Sequence, residues 1–573
     1  MMAAQLLLLA LPALPLLLAA APRSQSALES TQVHRPAAST WKRTQCGHPN
    51  GTADVPTRWG RTITADEAAP AAAYPRPRMA RGAGPSLAEL RDRGDVSSWL
   101  SLNGLWEWEA VPCGVDRKPC PGMNPPLLCC PPGNSSTLPP FGRALERSIL
   151  VPFPQESCLS GVAPRTSDAI AMRSWYRLTF NGGPPAGTQQ KTLLHFGAVD
   201  WQAKVYVNKL LVANHSGGYD GFTADITAAL ALNTDDAVPH ELLVHVFDPS
   251  ETGPQLGGKQ RMGVLSNPGE LWTIVYTSTT GIWQTVWMET VPEEYIEDVQ
   301  VEQASLDMVT VTVAVQLPPP SSSSAALQQS SQTPTLCNLT ILDNNGTEVV
   351  AHAQGAPGLP IQIKIPSAPK LWDPDDAVPH LYDLRVQLSS GDEVVSYFGL
   401  RTWTLPSGFG TAPDGPLLTG IDLGGTDMNV SKVADRAACK AHCRVQQGCL
   451  AYVYTNCSGA QNCWLKEKAN DLCTAEMQAI NQQRGFNIPC TPVNHDPPPA
   501  ECTRWSQTVG YKAAPQPLFN GKPRFFAGAL DQSWWPDGQY AAPTDEALES
   551  DILAVKAMGF NMLRLHQKVN PER

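Results

Sequence analysis

Along most of this chain, apolar positions come in short runs that alternate with polar ones. In "AKVYVNKLLVAN", Val205 and Val207 alternate with polar neighbours up to a turn at Asn208, the period of a half-buried strand. The runs "SWYRLTF", "KTLLHFGAVD", "ELLVHVFD" and "IWQTVWMETV" repeat this between Trp99 and Val291, divided by turn residues and with no convincing helix. Many short antiparallel strands predict a β-sandwich of jelly-roll type over 74–293. A second set follows: "MVTVTVAVQL" and "HLYDLRVQL" alternate, "SSGDEV" reads as a hairpin and "LPPPSSSS" as a flexible loop. A span of about 110 residues built this way fits an immunoglobulin-like sandwich over 294–405.

The pattern then changes twice. "ADRAACKAHCRVQQ" has helical spacing and puts Cys439 and Cys443 one turn apart on one face. With Cys449, Cys457, Cys463 and Cys473 it defines a small disulfide-stapled module over 415–490, whose connectivity sequence cannot give; "NHDPPPAECT" reads as the linker after it. From 511 regular structure resumes. Asn520-Gly521 is a strong hairpin signal, and 524–530 reads as a strand. Thr544 is a good N-cap, Asp545 and Glu546 suit a helix start, and Leu548, Ile552 and Val555 form one apolar stripe. Gly559 ends the helix and "FNMLRL" reads as a buried parallel strand. Strand, helix and strand make a βαβ unit, and 511–573 is far short of the roughly 250 residues of a complete (β/α)8 barrel.

Composition adds compartment and partners. The opening "MMAAQLLLLALPALPLLLAAAPRSQSA" predicts a secretory signal peptide over 1–26, although its start lacks Lys or Arg. The stretch 27–73, rich in Ala, Pro, Thr and Arg without periodicity, reads as a disordered lead-in. A net charge of -11 with no basic block leaves no footprint for phosphate backbones, so neither nucleic acid nor an anionic membrane surface is an expected partner. Fifteen cysteines suit an oxidising compartment, and the odd number leaves at least one unpaired or paired outside the chain. Cys113, Cys120, Cys129 and Cys130 sit in a Pro-rich insertion without His, so disulfides are expected there rather than zinc; no cofactor or metal is expected. Sequons at Asn50, Asn134, Asn214, Asn338, Asn345, Asn429 and Asn456 also point to a secreted or lumenal protein.

Candidate substrate-binding residues are Asp531, Gln532, Trp534, Trp535 and Asp537, which follow the first barrel-like strand, and Arg564 and His566, which end the second. Barrel enzymes place their sites at these strand ends. Trp faces offer platforms for a pyranose ring and carboxylates accept hydroxyl hydrogen bonds. The competing structural readings are that Trp534 and Trp535 pack the loop against the first sandwich, and that Arg564 is an ion-pair partner. "GGYDGF" is most simply a turn, Trp201, Trp283 and Trp287 are expected in the core, and Trp464 and Lys466 are structural.

The domain order, with "YPRPRMAR", "WLSLNGLWEWE", "ILVPFPQES", "SWYR", "HFGAVDWQAKVYVN", "GGYDGF", "TGIWQTVW", "LWDPDDAVPHLYDL", "FGLRTW", "FNGKPRFFAGALDQSWWPDG", "TDEALESDI" and "GFNMLR", resembles the N-terminal portion of glycoside hydrolase family 2, the group of β-galactosidases, β-glucuronidases and β-mannosidases. "CKAHC", "GCLAYVY" and "CWLK" resemble a PAN/apple domain, an insertion between second sandwich and barrel. The resemblance implies a retaining β-glycosidase whose two catalytic carboxylates come from later barrel strands, so that this chain alone holds no catalytic residue and is an inactive fragment. It also implies a carbohydrate substrate and a protein or glycan ligand for the PAN-like module. Better-known members carry a His where this chain has Gln532, which speaks against β-galactosidase specificity. The alternative is a non-catalytic carbohydrate- or protein-binding secreted protein built from the same modules.

Overall fold

The computed structural model of the chain describes residues 31–46, 54–65, 74–81, 99–111, 118–119, 128–129, 138–163, 172–183, 189–250 apart from 234 and 236, 253–261, 275–317, 334–404 apart from 344, 345, 367 and 377, 418–419, 427–432, 438–441 apart from 440, 451–457, 460–466, 506–511, and 518–567 apart from 533. The described residues are mainly β, with few helices. They fall into two units, Met1–Leu400 with Phe526–Arg573, and Arg401–Phe525.

The first unit opens with two antiparallel sheets packed face to face. The larger runs in the order Leu210–Ser216, Gln202–Val207, His240–Phe247, Arg173–Asn181, Gly104–Ala110, Arg147–Val151, with Gln32–His34 also paired to Arg173–Asn181. The smaller runs Phe222–Asp225, Gln190–Phe196, Val286–Pro292, Trp99–Ser101. Strand alternation builds the core between them: Leu178, Phe180, Val205, Val207, Leu242, Val244 and Val246 meet Leu194, Phe196, Ala224, Val286 and Met288. A second sandwich follows. Its three-stranded sheet (Tyr295–Ser305, Met308–Gln316, Ile361–Lys364) faces a five-stranded one (Ala80–Arg81, Glu393–Phe398, Tyr382–Leu388, Cys337–Asp343, Glu348–Gly355) across a core of Val309, Val311, Val313, Leu339, Ile341, Leu384 and Val386. Cys337 in this core is a free thiol, which burial pushes up to about 11.

The lead-in differs from its expectation. Residues 31–46 and 54–65 are structured: Gln32–His34 adds a strand to the larger sheet, and Cys46 forms a disulfide with Cys158 beneath Leu105, Leu150, Phe153 and Leu159. Arg43 pairs with Asp54 at 2.8 Å. The order is imposed from outside by an edge strand and a covalent tie across 112 positions, neither of which leaves a local periodic signal.

The first unit ends in a βαβ unit. Gly528–Asp531 and Met562–Leu565 pair in parallel, Gly528 opposite Met562 and Asp531 opposite Leu565, joined by the helix Asp545–Ala557. Thr544 caps that helix as the sequence predicts, accepting the Ala547 N–H at 3.2 Å. The apolar stripe is only partly used: Leu548 and Val555 are half-buried, but Ile552 is 59% exposed. The strand expected to be buried is not, since Met562 and Leu565 are exposed. The two strands pair only with each other among the described residues.

In the second unit, the five-stranded antiparallel order is Leu418–Thr419, Ser506–Tyr511, Ala451–Cys457, Ala460–Lys466, Asp427–Lys432. Ser506–Tyr511 lies beyond the expected 415–490 boundary, yet pairs with Ala451–Cys457. That pairing joins residues distant in sequence, so no local pattern announces it. Ala438, Cys439 and Ala441 are helical and Cys439 is disulfide-bonded. Cys443, Cys449 and Cys473, and the side chains of Cys457, Cys463, Trp464 and Lys466, lie outside the described residues, as do those of Cys113, Cys120, Cys129 and Cys130. The Asn520-Gly521 hairpin forms with both residues at positive φ, 49° and 75°, between Leu518–Phe519 and Lys522–Pro523.

Candidate functional site

The carboxyl ends of the two parallel strands meet a loop of the first sandwich. Asp531 closes the first strand, and its carbonyl accepts the His566 N–H at 2.8 Å, fixing the level at which the second strand ends. Asp531, Gln532, Trp534 and His566 are half-buried there, and Arg564 is exposed with no ion pair among the described residues. Gln532 Oε1 accepts from Lys259 Nζ and, at 3.2 Å, from the Tyr276 hydroxyl. Trp534 stacks on Tyr276 at 4.6 Å between ring centroids, and the Lys259 ammonium stands 5.8 Å from the centre of the same Tyr276 ring.

The structure therefore divides the sequence candidates. Asp531, Gln532, Trp534 and His566 gather at one surface. Trp535 does not join them: it is buried, edge-on to Trp59 at 5.8 Å and packed with Ala542 and Ala547. Asp537 is fully buried. Its Oδ2 accepts the Thr57 N–H at 2.7 Å and the Thr57 hydroxyl at 2.6 Å, while its carbonyl accepts the Ser157 hydroxyl at 2.6 Å. A Cβ on Gly60 would stand 2.0 Å from Asp537 Oδ2, so Gly60 is what lets the lead-in close over this carboxylate. Both residues secure the loop rather than face a ligand. Trp534 is divided between the two readings, since it also meets Tyr540 at 5.1 Å in a cluster with Trp283 and Tyr219.

Sequence reasoning missed Lys259 and Tyr276. Lys259 immediately precedes, and Tyr276 opens, the paired loop strands Gln260–Arg261 and Tyr276–Thr277, too short to show a period; the one available signal was a Lys between glycines and Gln in "GGKQR". The Lys259 side chain is 6% exposed and makes no ion pair among the described residues.

A buried polar network holds that loop. Gln260 Nε2 donates to Asp200 Oδ2 and to the Tyr219 hydroxyl, both at 2.9 Å, and its Oε1 accepts the Thr279 N–H at 2.7 Å. Asp248 accepts from Thr280 Oγ1 at 2.5 Å, from the Ser250 N–H at 2.6 Å and from Gln255 at 3.0 Å. Glu156 accepts the Thr280 N–H at 2.9 Å and the Ser278 hydroxyl at 3.1 Å. Burial raises the pKa of all three carboxyls, Glu156 to about 8, with the neighbouring Asp248 charge adding to the rise of Asp200 and Glu156 against the hydrogen bonds.

A second network joins the two sandwiches. Glu289 accepts from Arg81 Nη1 and the Tyr74 hydroxyl, each at 2.8 Å, and lies 3.0 Å from His195 Nε2. Arg81 also reaches Asp392 at 3.3 Å and the Ile296 carbonyl. Burial works against the Glu289 charge, but Arg81 and His195 outweigh it and hold the carboxyl at about 2. Burial pushes the His195 pKa down against the pull of Glu289.

Comparison with known proteins gives the family context. Residues 294–401 match the profile of Glycosyl hydrolases family 2, and residues 418–466 match that of the PAN domain. A β-galactosidase of Thermoanaerobacter pseudethanolicus is 26% identical over 235 residues, 40% of this chain and 28% of that protein. The β-glucuronidase of Mus musculus is 26% identical over 260 residues, 43% of this chain and 34% of that protein. Among solved structures, a Bacteroides uniformis β-glucuronidase aligns over 83% of this chain and 40% of its own, at 16% identity and a TM-score of 0.43. The chain thus spans about a third of the curated relatives it matches. It resembles the N-terminal portion of family 2 β-galactosidases and β-glucuronidases, with a PAN domain following the family 2 segment.

Proposed function

We propose that this chain carries the substrate-binding front of a retaining β-glycosidase: a jelly-roll sandwich, an immunoglobulin-like sandwich, a PAN-like module and the opening of a (β/α)8 barrel. One observation carries the reading: a sandwich loop sets Lys259 and Tyr276 against Gln532 and Trp534 at the carboxyl ends of a parallel βαβ unit, the end where barrel enzymes bind substrate. In this reading Trp534 and Tyr276 face the sugar ring, and Asp531 and Gln532 take its hydroxyls. Lys259 supplies a positive charge that makes no ion pair among the described residues, which favours an anionic sugar such as a uronide. The relatives named β-glucuronidase support that class.

Retaining hydrolysis needs two carboxyls about 5 to 5.5 Å apart, one protonating the glycosidic oxygen while the other attacks the anomeric carbon. Among the described residues the strand-end surface contributes only Asp531, so the pair belongs, in this proposal, to later barrel strands. The Leu-rich opening, the cysteine content and the sequons support a secretory route, which a mobility shift on deglycosylation of the natural product would test.

The expected result for the 573-residue chain is no turnover of aryl β-glucuronide or β-galactoside, together with weak binding of glucuronate. Lys259→Met should reduce that binding about tenfold, some 1.4 kcal/mol. Turnover by the purified chain, or glucuronate binding unchanged in Lys259→Met, would overturn the reading. Peptides mapping past Arg573 in material from the natural source would supply the barrel it calls for.

A further inference from the structure

The outer face of the smaller sheet should meet solvent, yet it is roofed. Leu193, His195, Thr223, Trp287 and Glu289 point away from the sandwich core, and all but Thr223 are buried. Segments from three other places cover them: 75–81, the start of the second sandwich at 295–297, and the barrel-like loop and helix at 540–548. The roof does not close. It leaves a cavity of about 460 Å³, within the size range of small-molecule sites and far larger than the voids that packed interiors leave.

Its lining is aromatic and amphipathic. Trp283, Trp287, Tyr219, Tyr295 and Tyr540 contribute rings, and Gln284 and Thr223 contribute hydrogen-bonding groups. Most charges in the wall are paired or hydrogen-bonded, and Arg76, which also lines it, donates to the Glu297 carbonyl at 3.5 Å. Arg81 is held by Glu289 and Asp392, Glu297 accepts from Gln316 at 2.9 Å, and Asp220 lies 3.7 Å from His215. Two polar groups are not committed. The Trp287 indole N–H is buried with no hydrogen-bond partner among the described residues, and the Gln284 amide, half-buried in the wall, has none either. A buried donor left unmet costs about 1 to 3 kcal/mol, a cost that a ligand hydroxyl would remove.

We infer that this inter-domain cavity is a non-catalytic binding site for a neutral saccharide ring, its apolar face against the tryptophan and tyrosine walls and its hydroxyls on Gln284, Thr223 and the Trp287 N–H. Rings with neutral amide and hydroxyl partners suit polyhydroxylated, uncharged ligands, since the Arg81, Glu289 and Asp392 charges are paired with one another and Arg76 is turned to the Glu297 carbonyl. The site is separate from the strand-end surface: none of Lys259, Gln532, Trp534 and Tyr276 lines it. It does not depend on the anionic-substrate reading.

The test is calorimetric and fluorescence titration of the whole 573-residue chain with methyl β-galactoside, methyl β-glucoside, lactose and glucuronate. The expected result is binding of at least one neutral sugar at one site, with Kd on the order of 1 mM, and a change in tryptophan emission. Gln284→Ala and the space-filling Thr223→Trp should each weaken it tenfold or more, while Lys259→Met leaves it unchanged. Should a variant fail to fold, footprinting of the wild-type chain decides: lactose must protect the half-buried wall residues Tyr219 and Tyr295 from oxidation. No neutral-sugar binding, equal binding of glucuronate, loss of binding in Lys259→Met, or unprotected Tyr219 and Tyr295 would each overturn the inference. Loss of glucuronate binding alone would touch only the strand-end surface.

Discussion

The two buried acidic networks of the first unit differ in one respect, the presence of a cation. Glu289 and Asp392 surround Arg81, and Glu289 stays ionised down to about pH 2. Glu156, Asp200 and Asp248 are equally buried but held by hydroxyls, amides and backbone N–H groups, and their pKa values rise. Hydrogen bonds from neutral groups offset only part of the desolvation of a carboxylate, whereas a guanidinium within 3 Å reverses its sign. The comparison separates their roles. The paired network clamps the two sandwiches together, and the unpaired one holds the loop that delivers Lys259 and Tyr276.

The largest consequence is on the alkaline side. A carboxyl whose folded pKa is raised keeps its proton in the native state after the unfolded chain has lost it. Its stabilisation is full below 4.5 and is lost as pH rises towards about 8. At about 1.4 kcal/mol per pH unit, the window for Glu156 sets a ceiling of about 5 kcal/mol. Urea denaturation at intervals from pH 5 to 8 should show stability falling, and Glu156→Gln, which can still meet Ser278 and Thr280, should flatten the curve. A slope unchanged in Glu156→Gln would remove the distinction between the networks. Next in size, Arg81→Met should cost about 3 to 5 kcal/mol, because it strands Glu289 and Asp392 without a counter-charge; a midpoint shift below about 1 kcal/mol would count against the clamp. Smaller again is the acid limb. The lowered pKa of Glu289 contributes stability that is present above 4.5 and lost as pH falls towards about 2, a ceiling of about 3 kcal/mol. Glu289→Gln should shrink that acid loss while lowering stability at neutral pH.

Legibility in the sequence followed the range of the forces. The alternation of Val205 and Val207, the Asn520-Gly521 turn and the Thr544 cap act over a few residues, and each was readable. What was not readable acts across the chain. Gln32–His34 gains its order from Arg173–Asn181, Ser506–Tyr511 from Ala451–Cys457, and Cys46 from Cys158. The candidate site shows the same division. Gln532 and Trp534 could be named from their place after a strand, but Lys259 reaches them from 273 positions earlier in sequence. Asp537, named on chemistry alone, is buried by the lead-in, because nothing local shows that Thr57 closes over it.

Asp537 gives the comparison its last and smallest test, since it is fully buried and its carboxylate is met by Thr57 through both the backbone N–H and the hydroxyl. Thr57→Val keeps the shape and the N–H but removes the 2.6 Å hydroxyl bond, so the cost should be that of one hydrogen bond to a charged group, about 1.5 to 3 kcal/mol. Thr57→Ser should restore most of it, because the hydroxyl returns and only a methyl is lost. If Thr57→Val were neutral, the N–H alone would suffice and the lead-in would be a passive cover. If it also weakened glucuronate binding, the hold of Thr57 on Asp537 would extend along the loop to Trp534 and Gln532, making the lead-in a positioning element for the strand-end surface.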